Sequence, residues 1–458
     1  MPIVTLLPDI DELATGYFFS KYVHENRGNI CAVDDGNGCL LASIHALGAA
    51  GVTQGGNGPS ASPKALSKYL QAIQLVNAAL RSPDLLKRDS TLLSINILSI
   101  FETVTGFHRS MSSWRDHVNG GAALLHLRGA EQFETQTGGR LFLHTVTNLV
   151  LGCMQSRQAI PRHVWETQAL AEEYITDIND RIWRYSKAIM RFNDLHARLL
   201  PGNRPRRAAE APSIIVEALD IDKEFEAIFA DPTGLWQYDT FYDTGPTVFA
   251  GYYHVYHSFS VAQIYNANHG NRILLRDVLY KAIDVCPVSI NELGLSDAEI
   301  ERLRSSATTV SQLQLDILAS VPQHLGSSLS GVGLVSKEAL FMDFAAKHHN
   351  PFKPGRRPEP ALPHVRLSGG YLIQWKLYVA GCADAPGGRI RMWVTAVLRL
   401  LAQAMGIQQA QLLADSLESR GNQLFTYHWQ HYKEWERLYE DRPTGFLQPE
   451  GAALMIEP

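Results

Sequence analysis

Apolar residues recur at helical spacing along nearly the whole chain. In the segment 64–80 they lie three or four positions apart, which places them on one face of an α-helix. These residues are Leu66, Tyr69, Leu70, Ile73, Val76 and Leu80. Alternation of apolar and polar residues, which indicates strands, is rare. The pattern therefore predicts an all-α protein, a large helical domain of many packed helices, with strands confined to short hairpins.

The same periodicity predicts the bounds of the helices. One helix is capped by Asp89 or Ser90, ends near Gly106 and is apolar all round, which predicts a position at the centre of the protein. The other predicted helices are 12–23, 39–49, 64–80, 113–127, 140–156, 161–175, 180–199, 213–230, 248–268, 272–283, 297–317, 371–382, 389–405, 408–419 and 426–439.

Proline, glycine and arginine mark the expected division of the chain. We expect a short N-terminal segment (1–10), one helical domain (11–440) and a C-terminal tail (441–458). Residues 201–212 contain Pro205 and three arginines and are interpreted as a linker, a candidate internal break. A second loop rich in proline and arginine is expected at 350–363.

Composition excludes several classes of protein. Hydrophobic residues make up 45% of the 458 residues, which excludes disorder for most of the chain. The net charge of −5 argues against a nucleic-acid-binding surface over the whole molecule. The five scattered cysteines form no C-x-x-C pair, and the apolar run 39–52 is too short to span a membrane. A soluble intracellular protein without a signal peptide is expected.

The motifs of common enzyme classes are missing from the sequence. There is no H-E-x-x-H, no Walker sequence and no G-x-S-x-G elbow. Asp34-Asp35 and Asn193-Asp194 lack the further ligands that a magnesium-diphosphate site needs, and no cysteine lies in a haem-binding loop. We therefore expect no enzyme, no catalytic residue, no metal site and no cofactor.

Two weaker signals leave alternatives open. The pairs His254/His257 and His428/His431 could each share a helical face, but zinc needs three or four converging ligands, so packing or surface roles are favoured. The basic runs 204–207 and 353–357 could direct nuclear import, although solvated loops commonly carry such charges.

The segment WRDHVNGGAALLHLRG, residues 114–129, has the most distinctive composition. On a helix, five of its residues fall on one side: His117, Gly120, Gly121, Leu124 and Arg128. The glycines would allow a neighbouring helix to approach, and Arg128 would lie in the last turn before Gly129 at C′. The segment is either a packing seam or a ligand site, with Trp114, His117 and Arg128 as the candidate residues.

This segment resembles the signature of the fungal-specific transcription factor domain, the helical regulatory region of binuclear zinc-cluster regulators. Six further segments resemble that family in the same order, so the resemblance extends from about residue 10 to residue 440. They are FFSKYV (18–23), YLQAIQLVNAALRSPDLLKRDSTLLSINILSIFE (69–102), GGRLFLH (138–144), NANHGNRILLRDVL (266–279), GGYLIQWKLYVAG (369–381) and RMWVTAVLRLLAQAMGIQQA (391–410).

The sequence departs from the family pattern in two places. Lys376 follows Trp375 where the family would have proline, a change expected to have little functional consequence. Members usually begin with six cysteines among basic residues, which bind two zinc ions and place a helix in the major groove. Residues 1–40 contain only Cys31 and Cys39 and no basic cluster, so we expect this chain to lack the DNA-reading part.

The resemblance implies a transcriptional regulator in the nucleus that controls a secondary-metabolite gene cluster. It would act through a small-molecule effector, a homodimer or a protein partner, with no direct DNA binding and no membrane contact. Two other hypotheses stay open. The helical scaffold could serve as an enzyme or ligand carrier of a biosynthetic pathway, with the cytoplasm as the alternative location. It could also be a structural partner of a full-length regulator.

Overall fold

The computed structural model describes residues 9–23, 36–53, 63–105, 112–199, 204–245, 247–325, 351–353, 369–405 and 407–419. Helices dominate this part of the chain, and its one sheet has two strands. The predicted all-α class is therefore confirmed. The predicted helix 426–439 lies outside the described residues, as does most of the predicted loop 350–363.

The elements follow one another in this order. The first helices are α1 (Ile10–Lys21), α2 (Cys39–Thr53), α3 (Pro63–Leu80), α4 (Pro83–Leu86), α5 (Asp89–Thr105), α6 (Ser112–Arg128), α7 (Gln136–Ser156), α8 (Arg162–Ala171), α9 (Arg181–Leu199) and α10 (Arg204–Phe229). The hairpin β1 (Tyr238–Tyr242) and β2 (Tyr252–Tyr256) follows. The last elements are α11 (Phe259–Val285), α12 (Asp297–Arg304), α13 (Ser306–Ala319), α14 (Val321–Leu325), α15 (Gly369–Cys382), α16 (Arg389–Met405) and α17 (Gln408–Glu418).

The largest difference from prediction lies at 248–268, which was expected as one helix. Its first part is strand β2, antiparallel to β1 with Tyr238 opposite Tyr256. The run YYHVY consists mainly of aromatic and β-branched residues, which pack well on a pleated surface. Helix α11 begins only after Ser258, whose hydroxyl accepts a hydrogen bond from the Val261 amide at 3.3 Å.

The structure also differs from the prediction at residues 201–212, where a linker is expected. Residues 204–212 form the first turns of α10, which continues to Phe229. Pro205 lies in the first turn, where a backbone N–H would have no partner in the helix, so the missing donor costs little. Pro212 lies inside the helix. The segment therefore extends a helix, and the division of the chain into domains stays a prediction.

Helix α5 is at the centre of the larger hydrophobic core, as its apolar composition predicts. Every residue from Ser90 to Thr105 is buried. Helices α2, α3, α6 and α7 contact it from several sides. Phe101 stacks on Tyr69 of α3 with ring centroids 4.4 Å apart.

Helix α11 joins this core to a second one. Leu275 and Val278 belong to the larger core, while Ile273 belongs to a cluster built with residues of α13 to α17. The two cores meet along α11, and a cavity lies beside that helix.

None of the described helices has the length and apolar character required to cross a membrane.

Candidate functional site

The three candidate residues of segment 114–129 have separate surroundings. Trp114 is buried and borders a cavity. His117 lies with its Nε2 2.9 Å from the Tyr69 hydroxyl, which donates a hydrogen bond to Glu102. Arg128 is buried, donates to the Arg88 carbonyl at 3.0 Å and pairs with Asp89. The structure therefore gives His117 and Arg128 protein partners, and only Trp114 reaches the cavity.

The two glycines of this segment differ as well. Gly121 faces the neighbouring helices: a Cβ atom there would lie 3.1 Å from Thr145 Cγ2 and 3.7 Å from Ile95 Cγ2. Gly120 is exposed and has open space around it. Only one of the two glycines therefore permits close helix packing. Gly129 has a φ of +61°, the left-handed conformation expected after Arg128.

The most prominent cavity of the described residues lies between α7, α9, α11 and α15, with Trp114 of α6 at one side. Its volume is about 390 Å³, within the range of sites that hold one small molecule. Three tryptophans contribute to its wall: Trp114, Trp236 and Trp375. The remainder is a mixture of aliphatic side chains and hydroxyl, amide and imidazole groups.

The charges in this wall are all positive. Arg140 and Lys376 line the cavity, and none of its described lining residues is aspartate or glutamate. Lys376 Nζ donates to the Leu372 carbonyl at 3.3 Å, one turn earlier in α15. No acidic side chain within the described residues forms an ion pair with Lys376. Burial lowers the pKa of Lys376 to about 8.

Neutral polar groups complete the wall. Burial lowers the pKa of His144 to about 4, so its ring is neutral at physiological pH. Asn148 Nδ2 lies 3.2 Å from His144 Nε2 and donates to it, which leaves the ring proton on Nδ1. Asn271 Nδ2 donates to the Tyr185 hydroxyl at 2.8 Å across the α9–α11 contact. The cavity is thus polar at defined points without being acidic.

The start of α7 explains why Arg140 and His144 reach this place. Thr135 caps the helix by accepting a hydrogen bond from the Gly138 amide at 3.0 Å. A Cβ atom at Gly138 would lie 2.0 Å from the Gln132 carbonyl oxygen, and one at Gly139 would lie 2.4 Å from the Phe352 ring. The glycine pair is therefore required for the sharp entry into α7 and for its contact with Phe352.

Lys376 lies beside a glycine of α11. A Cβ atom on Gly270 of α11 would lie 3.7 Å from Lys376 Cγ, the nearest contact at that position. The aliphatic stem of the lysine thus runs along a part of α11 that has no side chain, and its ammonium group lies beside the cavity.

Indirect signals for these residues are present in the sequence. Three of the segments that resemble the transcription factor family meet at the cavity: 138–144 supplies Arg140 and His144, 266–279 supplies Asn271, and 369–381 supplies Lys376. Because these segments are far apart in the sequence, their meeting at one cavity could not be predicted from it. The lysine that replaces proline in the family pattern, expected to have little consequence, is one of the two charges in the wall.

The other sequence signals do not reach the cavity. His254 lies in β2 rather than on a helix, with its Nδ1 3.0 Å from Thr240 Oγ1 and its Nε2 3.9 Å from Asp316. His428 and His431 lie outside the described residues, as do Arg356 and Arg357. No cluster of three or more metal-ligand side chains occurs among the residues that the structure describes.

Comparison with known families finds one match, in the first part of the chain. A model described as the fungal specific transcription factor domain matches residues 17–174. These residues, about a third of the chain, are similar to that domain. The resemblance inferred from the sequence is confirmed there, and the match supports a role in transcription regulation. No curated protein and no solved structure matches the chain significantly.

The matched segment forms one side of the cavity. Trp114, Arg140 and His144 lie within the matched residues, whereas Tyr185, Asn271 and Lys376 lie beyond them. The cavity therefore lies where the matched segment contacts the rest of the helical protein. A molecule bound there would touch both parts.

We expect Lys376→Met to raise the free energy of unfolding at pH 7 by about 1–3 kcal/mol, because methionine removes a desolvated charge and keeps most of the stem. The folded-state pKa of about 8 lies below the ordinary 10.5, so the cost is complete below pH 8 and disappears as pH rises past 10.5. Urea unfolding at pH 7 and pH 10.5 measures both values. The exposed Lys223→Met is the control, and an equal gain at both pH values would contradict the expectation.

Proposed function

We propose that this protein is the regulatory region of a fungal transcription regulator that works in the nucleus, senses a small molecule and controls a secondary-metabolite gene cluster. The match of residues 17–174 to the fungal specific transcription factor domain carries this proposal. The cavity supports the sensing role, since it combines the size of a ligand site with a few polar groups.

The position of the cavity suggests how sensing would work. A ligand that touches both the matched domain and helices α9, α11 and α15 would favour one arrangement of the two parts. A change in that arrangement would alter a surface used by a second copy of this chain or by a partner protein. The effect on transcription would then follow from assembly, without a DNA contact by this chain.

Transcript profiling of a deletion strain tests the regulator proposal. We expect a group of neighbouring genes to lose or gain transcripts on deletion, and the wild-type gene at another locus to restore them. Unchanged transcripts together with an altered product would instead favour an enzyme or carrier.

We expect the isolated protein to show no sequence-specific DNA binding. Its net charge is −5, and phosphate neutralisation by basic residues supplies most of the affinity of a protein for duplex DNA. Gel shifts with promoter fragments from its own locus, at physiological salt and with competitor DNA, measure this. A sharp, competitor-resistant complex at nanomolar protein would contradict the expectation and reveal a DNA-reading surface.

The cavity favours a second candidate function, an enzyme or carrier of a biosynthetic pathway. Reactions that need only a shaped apolar site with a few polar groups, such as isomerisations, would suit a wall of tryptophans, amides and one lysine of lowered pKa. Incubation of the purified protein with extracts of its deletion strain tests this candidate. A new product that depends on the cavity would support it.

A further inference from the structure

We infer that the cavity between α7, α9, α11 and α15 binds an anionic, mainly apolar small molecule, with one acidic group beside Lys376 and an aromatic or aliphatic body against the tryptophans. The inference rests on the proposed function in that it gives the chemical class of the effector. It draws on the charge, the unpaired polar atoms and the size of this one site.

The sign of the charge in the wall is the first argument. Arg140 and Lys376 are the two charged residues of the described lining, and the chain as a whole carries −5. The positive charge of Lys376, which has no ion pair within the described residues, favours a ligand of negative charge. A cationic ligand would be repelled, and a neutral one would leave the Lys376 ammonium without a counter-charge in a partly desolvated site.

The hydrogen-bonding state of Lys376 supports the same class of ligand. Its ammonium group has three donors, and the structure shows one long bond of 3.3 Å, to the Leu372 carbonyl. A carboxylate or sulfonate would accept from the remaining donors. The aliphatic stem is held beside Gly270, so the charged end already lies at the cavity before any ligand enters.

Two buried polar atoms of the wall have no partner within the described residues. They are the Ser186 hydroxyl oxygen and the Gln374 Oε1. Both residues are only 3% exposed and line the cavity. Buried polar groups are nearly always hydrogen-bonded, so two such atoms at one cavity indicate that a bound molecule supplies their partners. The Ser186 hydroxyl can donate to the acidic group, whereas Gln374 Oε1 accepts and would take a hydrogen bond from an O–H or N–H elsewhere on the ligand.

The remaining wall indicates an apolar body. Trp114, Trp236 and Trp375 line the same cavity as Lys376, and tryptophan presents a large flat surface suited to rings and chains. A volume of about 390 Å³ accommodates one molecule of ordinary metabolite size. A small hydrophilic anion would leave most of this apolar wall without contact.

A pair of fluorescent probes that differ by one charge tests the inference on the purified full chain. The anionic probe is 8-anilinonaphthalene-1-sulfonate, and N-phenyl-1-naphthylamine is nearly the same molecule without the sulfonate. We expect the wild-type protein to bind both. Lys376→Met should weaken binding of the anionic probe about tenfold and leave the neutral probe within about twofold, because only the first loses a charge-assisted contact.

Three further variants make the result specific. Lys376→Arg keeps the positive charge and should retain the preference for the anionic probe. The exposed Lys223→Met should bind both probes as the wild type does. Ala267→Phe adds a ring to the cavity wall and should weaken both probes, which shows that they bind in this cavity. Thermal melting of each variant confirms that it is folded.

The inference is overturned if Lys376→Met weakens both probes equally or neither, or if Ala267→Phe changes neither. The probe assays use purified protein and do not depend on transcription. Their outcome therefore tests the ligand class independently of the regulator proposal. Charge-selective binding with unchanged transcripts in the deletion strain would leave the ligand class standing and remove the regulator proposal. Altered transcripts without charge-selective binding would support the regulator proposal and overturn the ligand class.

Discussion

Phe101→Asp and Leu98→Asp should each abolish soluble, folded protein. The two side chains are 0% and 1% exposed in a helix that is buried on all sides. Removing a buried phenylalanine or leucine costs about 2–5 kcal/mol, and an unpaired buried carboxylate adds several more. The sum is comparable to the roughly 5–15 kcal/mol that holds a typical domain together.

The surroundings of Phe101 make its loss especially costly. Its ring stacks on Tyr69, whose hydroxyl donates to Glu102, so an aspartate would place a second carboxylate beside a buried one. The soluble fraction on expression and the melting temperature by circular dichroism measure the effect. Leu70→Asp is the matched control, since Leu70 is 51% exposed and the same change there should cost no more than about 1 kcal/mol. Similar yields of all three variants would show that α5 is not central.

Periodicity predicted which segments are helical better than which side of each helix is buried. In α3 the apolar residues predicted to share one face include Leu70 and Leu80, yet both are exposed. Tyr69 and Val76 of the predicted face are buried, and they share the buried face with Ala65, Ala72 and Ala79. The prediction missed the three alanines, which contribute little to a pattern of large apolar residues. Small side chains let helices approach closely. Whether such a residue is buried depends on the helix that packs against it, which the sequence of the segment alone does not show.

The helix ends and the hairpin were predicted less well for a similar reason. The segment 248–268 contains apolar residues at spacings that suit a helix, but β2 pairs with β1, which lies before it in the chain. Tertiary pairing thus overrides the local pattern. Residues 204–212 show the opposite error: their proline and arginine content predicts a linker, although these residues fit the first turns of α10.

The cavity could not be predicted from any one segment. Arg140 and Lys376 are far apart in sequence, and neither lies in a recognised motif. What the sequence offered was the family resemblance of the segments that contain them, together with the replacement of proline by lysine at 376. Only the packing of α7 against α9 and of α11 against α15 shows that these segments meet.

A cluster of buried charges fixes the arrangement of the helices next to the cavity. Asp222 of α10 is fully buried and accepts hydrogen bonds from three arginines: Arg272 Nε at 3.0 Å, Arg276 Nη2 at 2.6 Å and Arg302 Nη1 at 2.8 Å. Arg272 and Arg276 belong to α11 and Arg302 to α12. One carboxylate therefore connects three helices, including the helix that carries Asn271 and Gly270 at the cavity.

Asp222→Asn should lower the free energy of unfolding by about 3–5 kcal/mol, because it removes the acidic partner of the buried Arg276. Arg272 and Arg302 would keep Glu226 as a counter-charge. Asp220→Asn on the same helix should cost less than about 1 kcal/mol, since Asp220 is exposed and pairs with the partly exposed Arg191. Urea unfolding of both variants at pH 7 measures the difference. Equal losses would mean that the buried cluster contributes no more than a surface ion pair.

The pH dependence of Asp222→Asn gives an independent check of the same cluster. Burial alone would raise the pKa of Asp222, but the positive charges of Arg276 and Arg272 outweigh it and hold the pKa below its ordinary value. A lowered carboxyl pKa contributes stability that is complete above the unfolded-state value of about 4 and is lost as the pH falls through the folded-state value. The difference between wild type and variant should therefore be constant from pH 5 to 7 and shrink in stronger acid. A difference that grew on acidification would mean that burial, rather than the arginines, controls this carboxylate.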